Sequence, residues 1–226
     1  MAKKKKNSNY KYSAPELFPT EKKEEKTPRA PLSMGAKIAI VAACVALVLA
    51  IIIGCVVVSI LNKSYVEMDV EGYGKIVICV DRGYAPKTVE NFLALVEDGY
   101  YDGTTFHRVM KNFMIQGGSS DKEDELDSIV GEFSSNGFNN TLSHTRGVIS
   151  MARTNEPNSA ASQFFICNAD SPHLDGQYAA FGYVVKGIEV VDAITEATAG
   201  YAISNGFIDD TSKMAVIKSV RIVDAP

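Results

Sequence analysis

The sequence has no nucleophile paired with a base and no cluster of metal ligands, and among 226 residues it holds four cysteines and three histidines. Covalent and metal-assisted catalysis therefore have no visible carriers, and no cofactor is called for. Cys44 and Cys55 fall in one long apolar run. Cys79 and Cys167 sit in the strand-like runs Ile76-Val77-Ile78-Cys79-Val80 and Phe164-Phe165-Ile166-Cys167, and they read as buried thiols. A disulfide between them would need Cα atoms within about 7 Å. The acidic stretch Asp121, Glu123, Asp124, Glu125 and Asp127 lacks the glycine and ligand spacing of a calcium loop, so it reads as solvated. Positive charge is scarce beyond the N-terminus. Residues 1–37 carry ten basic and four acidic groups, a balance of +6, and the remainder carries 13 basic and 23 acidic, a balance of −10. An acidic body argues against nucleic acid as a partner.

Acid is missing altogether from residues 36–61, a 26-residue apolar run broken only by Lys37. Roughly 20 such residues cross a bilayer. A buried soluble helix of this length would show a polar face. A cleaved signal peptide has a shorter apolar core and no tail of 35 residues before it. Ile52-Ile53-Gly54-Cys55 and Val41-Ala42-Ala43-Cys44 offer lipoprotein-like contexts, yet the chain stays apolar after Cys55. The run reads as an uncleaved signal anchor. Basic residues gather before it, and only Lys63 and Lys75 lie in the twenty residues after it. The N-terminus is thus expected in the cytoplasm, with the following domain outside a membrane crossed once. Residues 1–35, rich in Lys, Glu, Pro and Ser, cannot bury enough surface to offset ordering entropy, and they are expected to be disordered. Residues 62–226 have the composition of one globular domain, expected as a monomeric ectodomain.

Within that domain, residues 66–70 and 75–81 alternate apolar and polar about Glu71-Gly72-Tyr73-Gly74, a hairpin pattern. Pro86 opens a helix whose Val89, Phe92, Leu93 and Val96 fall at i, i+3, i+4 and i+7, with Gly99 as its stop. Further strands are expected at 104–109, 113–116, 147–151, 163–167, 179–184 and 215–223, and a short helix at 188–194. Many short strands with few helices predict a barrel or sandwich.

Three stretches carry the functional signal: Phe106-His107-Arg108-Val109, Phe113-Met114-Ile115-Gln116-Gly117-Gly118 and Ser162-Gln163-Phe164-Phe165-Ile166. Buried strands admit Arg or Gln only where a partner waits. Polar residues inside apolar runs therefore mark a groove that works by hydrogen bonds and shape. Together with Gly147-Val148-Ile149-Ser150-Met151-Ala152-Arg153 and Leu174-Asp175-Gly176-Gln177, these stretches strongly resemble the cyclophilin family of peptidyl-prolyl isomerases. Met151-Ala152-Arg153-Thr154 and Pro157-Asn158-Ser159 are similar to bacterial members in particular.

The resemblance implies a mainly β fold: a closed eight-stranded antiparallel barrel capped by two α-helices, here preceded by the transmembrane helix. It implies catalysed rotation of X-Pro bonds in exported or unfolded polypeptides, with proline-containing segments as partners. By motif, Arg108 is the family's catalytic arginine, and Phe113, Met114 and Gln116 are the floor, wall and glutamine of its proline pocket. Gln163, Phe165 and Leu174 complete the pocket, and Ala152, Arg153 and Thr154 bind the peptide through backbone groups. His107 is a hydrogen-bonded neighbour at the substrate side, and His144 is structural. Two rim positions depart from the family: His173 stands where many members carry Trp or Phe, and Tyr178 where eukaryotic members carry His. The alternative is a non-catalytic module that holds Pro-containing partners in the same groove. The arginine beside its pocket favours the enzyme.

Overall fold

The computed structural model describes residues 33–226, so the disorder expected of the N-terminal tail falls almost wholly outside the described residues. Helix α1 spans Met34–Leu61. Ser33 opens it, its Oγ accepting the Ala36 amide at 3.3 Å, which starts the helix two residues before the apolar run. Its most apolar 18-residue stretch has a mean hydropathy of 3.2 and none of its 28 residues is buried, which makes α1 long and apolar enough to cross a membrane by length and composition.

Eight strands follow: β1 (Lys63–Val70), β2 (Gly74–Asp81), β3 (Thr105–Met110), β4 (Met114–Ser119), β5 (Val148–Met151), β6 (Phe164–Cys167), β7 (Ala180–Lys186) and β8 (Ala215–Val223). They close in the order β1-β2-β7-β5-β6-β4-β3-β8, with β8 returning to β1 and every pairing antiparallel. Closure leaves no free sheet edge. Helices α2 (Pro86–Glu97) and α3 (Ile188–Thr198) cap the barrel. Pro86 suits the first turn of α2, where no intrahelical donor is lost. Phe92 of α2 meets Phe164 edge-on at 5.8 Å, and Phe164 meets Phe106 in the same way at 6.1 Å, so aromatic edges and faces fill the interior.

Several elements outrun their sequence patterns, β1 by starting at Lys63, three residues before the expected 66. α3 continues to Thr198 because Thr195 and Thr198 donate to the carbonyls of Val191 and Ile194 at 2.8 and 2.7 Å, so neither hydroxyl is left unpaired inside. β7 continues to Lys186, beyond the expected 184. β4 runs through Gly117 and Gly118 to Ser119. A Cβ at Gly117 would lie 2.8 Å from the Thr105 carbonyl oxygen, and one at Gly118, where φ is +84°, 2.9 Å from the Phe164 ring. The pair permits close approach of strand and core. Cys79 and Cys167 are both buried and free, and burial pushes the Cys167 thiol up to about 12.

Candidate active site

Alternation along the strands builds the site on the outside of the barrel wall. β4 turns Ile115 into the main core and Met114 outward, and β6 turns Phe164 and Ile166 inward and Phe165 and Cys167 outward. The outward set, with Leu174, forms a second apolar cluster, flanked by Phe113, Ala152 and Tyr178. Register aligns Arg108 opposite Gln116, Gln116 opposite Phe165, and Phe165 opposite Ser150, one row across β3, β4, β6 and β5. β3 joins that row through a bulge. Its register shifts between Phe106 and Arg108, so His107 is the extra residue, Phe106 stays in the core and Arg108 lies partly open.

The row borders a small pocket of about 80 Å³. Phe113, Met114, Phe165, Leu174 and Ala152 give it an apolar floor and walls, Arg108 and Gln116 line it with polar groups, and Arg153 and Tyr178 complete the rim. It has room for one small ring, and its few polar groups can orient a backbone. Gln163 and Thr154 stand in an adjoining hollow shared with Gln116, Ala152 and Arg153. His107 lies outside both, its ring stacked at 5.9 Å on Phe207. His173 sits exposed at the edge, 5.3 Å from the Phe113 ring.

Arg108 is held from several sides. Its Nε donates to the Asn205 carbonyl at 2.9 Å, Nη1 to Gln116 Oε1 at 3.2 Å and Nη2 to Met110 Sδ at 3.3 Å, and its Cζ lies 5.5 Å from the centre of the Phe207 ring. Burial lowers its pKa, yet a guanidinium stays charged at any physiological pH. Gln116 Nε2 donates to Gln163 Oε1 at 2.8 Å. Gln163 Nε2 in turn donates to Glu123 Oε1 and Oε2 at 2.9 and 3.0 Å. Glu123 thus departs from the solvated reading of its stretch: Asp121, Asp124, Glu125 and Asp127 are exposed, whereas Glu123 turns in to meet Gln163. Among the described residues no group of three or more His, Cys, Asp and Glu side chains could hold a metal ion.

Arg153 donates from Nε and Nη2 to the Gln177 carbonyl at 3.0 and 2.8 Å and lies 4.6 Å from the Tyr178 ring centre. Behind Phe165, the buried His144 ring stacks at 6.0 Å, with Nδ1 2.8 Å from Asp175 Oδ1 and Nε2 3.0 Å from Ser150 Oγ. Burial pulls the His144 pKa down against the opposing pull of Asp175. Burial also depresses His107. Sequence reasoning missed Asn205, Phe207 and the inward turn of Glu123. The strand pattern carried no signal for them, since each reaches the site from a loop.

A closed eight-stranded barrel bearing an arginine, two glutamines and an apolar pocket on its outer wall defines a proline-isomerase scaffold. Residues 65–224 match the family Cyclophilin type peptidyl-prolyl cis-trans isomerase/CLD, and the chain belongs to that family. It is 41% identical over 168 residues to peptidyl-prolyl cis-trans isomerase cyp18 of Streptomyces antibioticus, covering 71% of this chain and 99% of the relative. It is 40% identical over 159 residues to peptidyl-prolyl cis-trans isomerase B of Escherichia coli, covering 66% and 94%. A crystal structure of a Cryptosporidium parvum cyclophilin-type isomerase matches with a TM-score of 0.61 at 28% identity, over 73% of this chain and 99% of that one. The same protein, in the presence of the dipeptide Ala-Pro, matches at 0.60, with 28% identity, over 71% and 99%. The chain is a cyclophilin-type peptidyl-prolyl cis-trans isomerase, and the non-catalytic module is not favoured.

Proposed function

We propose that Arg108 is the catalytic residue, with Phe113 and Gln116 beside it, and that the pocket receives the proline ring of exported or unfolded polypeptides. A peptide bond resists rotation by about 18–20 kcal/mol because the nitrogen lone pair is shared with the carbonyl. In the twisted transition state the nitrogen regains that pair and becomes an acceptor. A fixed cation that donates to it binds this state better than the planar one, and such differential binding is what accelerates. Phe113, Met114, Phe165 and Leu174 hold the ring while the other side of the bond turns. Gln116 anchors Arg108, and Ala152, Arg153, Thr154 and Gln163 take the flanking backbone. His107, His173 and Tyr178 border the bound segment. No proton or covalent bond changes hands.

The observation that carries this reading is the Arg108 guanidinium held by Gln116 and the Asn205 carbonyl at the border of the apolar pocket. Arg108→Ala in the full chain should lower isomerisation of a short X-Pro peptide about 10²-fold, the loss of one charge-stabilising donor, with an unchanged fold. Wild-type turnover in that variant would refute the role of Arg108.

The chain is organised, in this proposal, as a basic cytoplasmic tail (1–35), a membrane anchor (36–61) and a monomeric isomerase domain (62–226) outside the cell membrane. The unburied, acid-free and predominantly apolar α1 supports the anchor, and the basic residues crowded before it support the direction.

A further inference from the structure

Glu123 belongs to none of the strands that build the groove. It opens a single 3₁₀ turn, Glu123–Glu125, and is half-buried between exposed neighbours. Its carboxylate accepts from Gln163 Nε2 on both oxygens and from Ser119 Oγ at 2.8 Å. We propose that Glu123 is a positioning residue: it fixes the orientation of two glutamine amides in series, and thereby the acceptor that holds Arg108. The proposal deepens the reading of Arg108 above and rests on it.

The groups at the two ends of the series fix the direction of every hydrogen bond between them. A carboxylate only accepts hydrogen bonds, a guanidinium only donates them, and a glutamine amide does either, according to which way it is turned. Glu123 at one end obliges Gln163 to present its NH₂ group. Gln163 Oε1 then faces Gln116 and accepts from its Nε2 at 2.8 Å. Gln116 Oε1 is left facing Arg108, where it accepts from Nη1 at 3.2 Å. With an acceptor-only group at one end and a donor-only group at the other, one arrangement of the two amides satisfies all three links.

A donor in place of Glu123 breaks that consistency. Gln163 would turn its oxygen toward the new donor and its NH₂ toward Gln116. Gln116 would turn likewise and point N–H at N–H of Arg108. The guanidinium would lose its Gln116 anchor while the apolar pocket stayed intact, so capture of proline and rotation of the bond should separate.

The test uses the full chain in detergent micelles and a short X-Pro peptide. Glu123→Lys should lower kcat about tenfold, the scale of one hydrogen bond to a charged group, with KM changed by a smaller factor, since Gln163 beside the flanking backbone turns while the proline pocket is untouched. Glu123→Gln keeps an acceptor for Gln163 and a partner for Ser119, and it should retain at least half of kcat. Glu123→Ala leaves both amide orientations open and should fall between them, serving in place of lysine if that variant does not fold. The side-chain amide ¹⁵N–¹H signals of Gln116 and Gln163 should shift in the lysine variant and stay put in the glutamine one. Wild-type kcat in both Glu123→Lys and Glu123→Ala, equal losses in the lysine and glutamine variants, or a change confined to KM would overturn the proposal. Arg108→Ala, measured alongside, separates the two readings. If it too keeps its kcat, the role of Arg108 fails; if it alone loses kcat, only the role of Glu123 fails.

Discussion

His144 shows how a residue outside the pocket can govern it. Its ring backs Phe165 and spends both nitrogens, one on Asp175 and one on Ser150. Burial disfavours its charged form, so the folded state takes up a proton less readily than the unfolded chain, whose histidines titrate near pH 6.5. Below about that pH the unfolded state binds more protons, and stability falls. The contribution is complete above about pH 6.5 and is lost as the pH drops through the depressed folded value. His107, also pushed down by burial, acts in the same sense. Denaturant midpoints measured from pH 8 to pH 5 should therefore decline on acidification, and His144→Gln should flatten part of the decline. A wild-type midpoint that does not move over this range would contradict the argument.

At the scale of elements, β4 holds both the site and a tight packing constraint. Gly117 has no room for a side chain, since the obstacle is the Thr105 carbonyl oxygen at 2.8 Å, and backbone does not swing aside. Gly117→Ala should lower stability by about 2 kcal/mol or more, read as a reduced urea midpoint with unchanged slope; an unchanged midpoint would show that β3 and β4 separate freely. The same element marks how far the sequence could be read. Its first residues alternate as a strand should, and β2, β8 and the start of α2 lie close to where periodicity predicts them. The strand's continuation through two glycines was illegible, because glycine normally weakens a strand and the reason for it here is a neighbour on another strand. Arg108, Gln116 and Gln163 stood out as polar residues interrupting apolar runs, whereas Phe165 entered through the family resemblance alone. Asn205 and Glu123 did neither. Their partners lie 97 and 40 positions away in the chain, and no local pattern records such a meeting.

For the whole molecule, the charge balance on either side of α1 leads to a test of topology. Protease added to intact cells stripped of any wall should digest residues 62–226 and spare the tail. Protection of the domain, with loss of the tail, would show the reverse orientation. The closing of the barrel has a consequence for how the protein is made. β1 is the first strand synthesised and β8 the last, yet they are neighbours paired over six registered positions. Some 150 residues separate them, so at about 5–20 residues per second β1 waits roughly 8–30 s for its partner to leave the ribosome. Until then one flank of β1 has no strand to pair with, and the sheet stays open along that seam. The barrel of this isomerase therefore cannot close before β8 has left the ribosome.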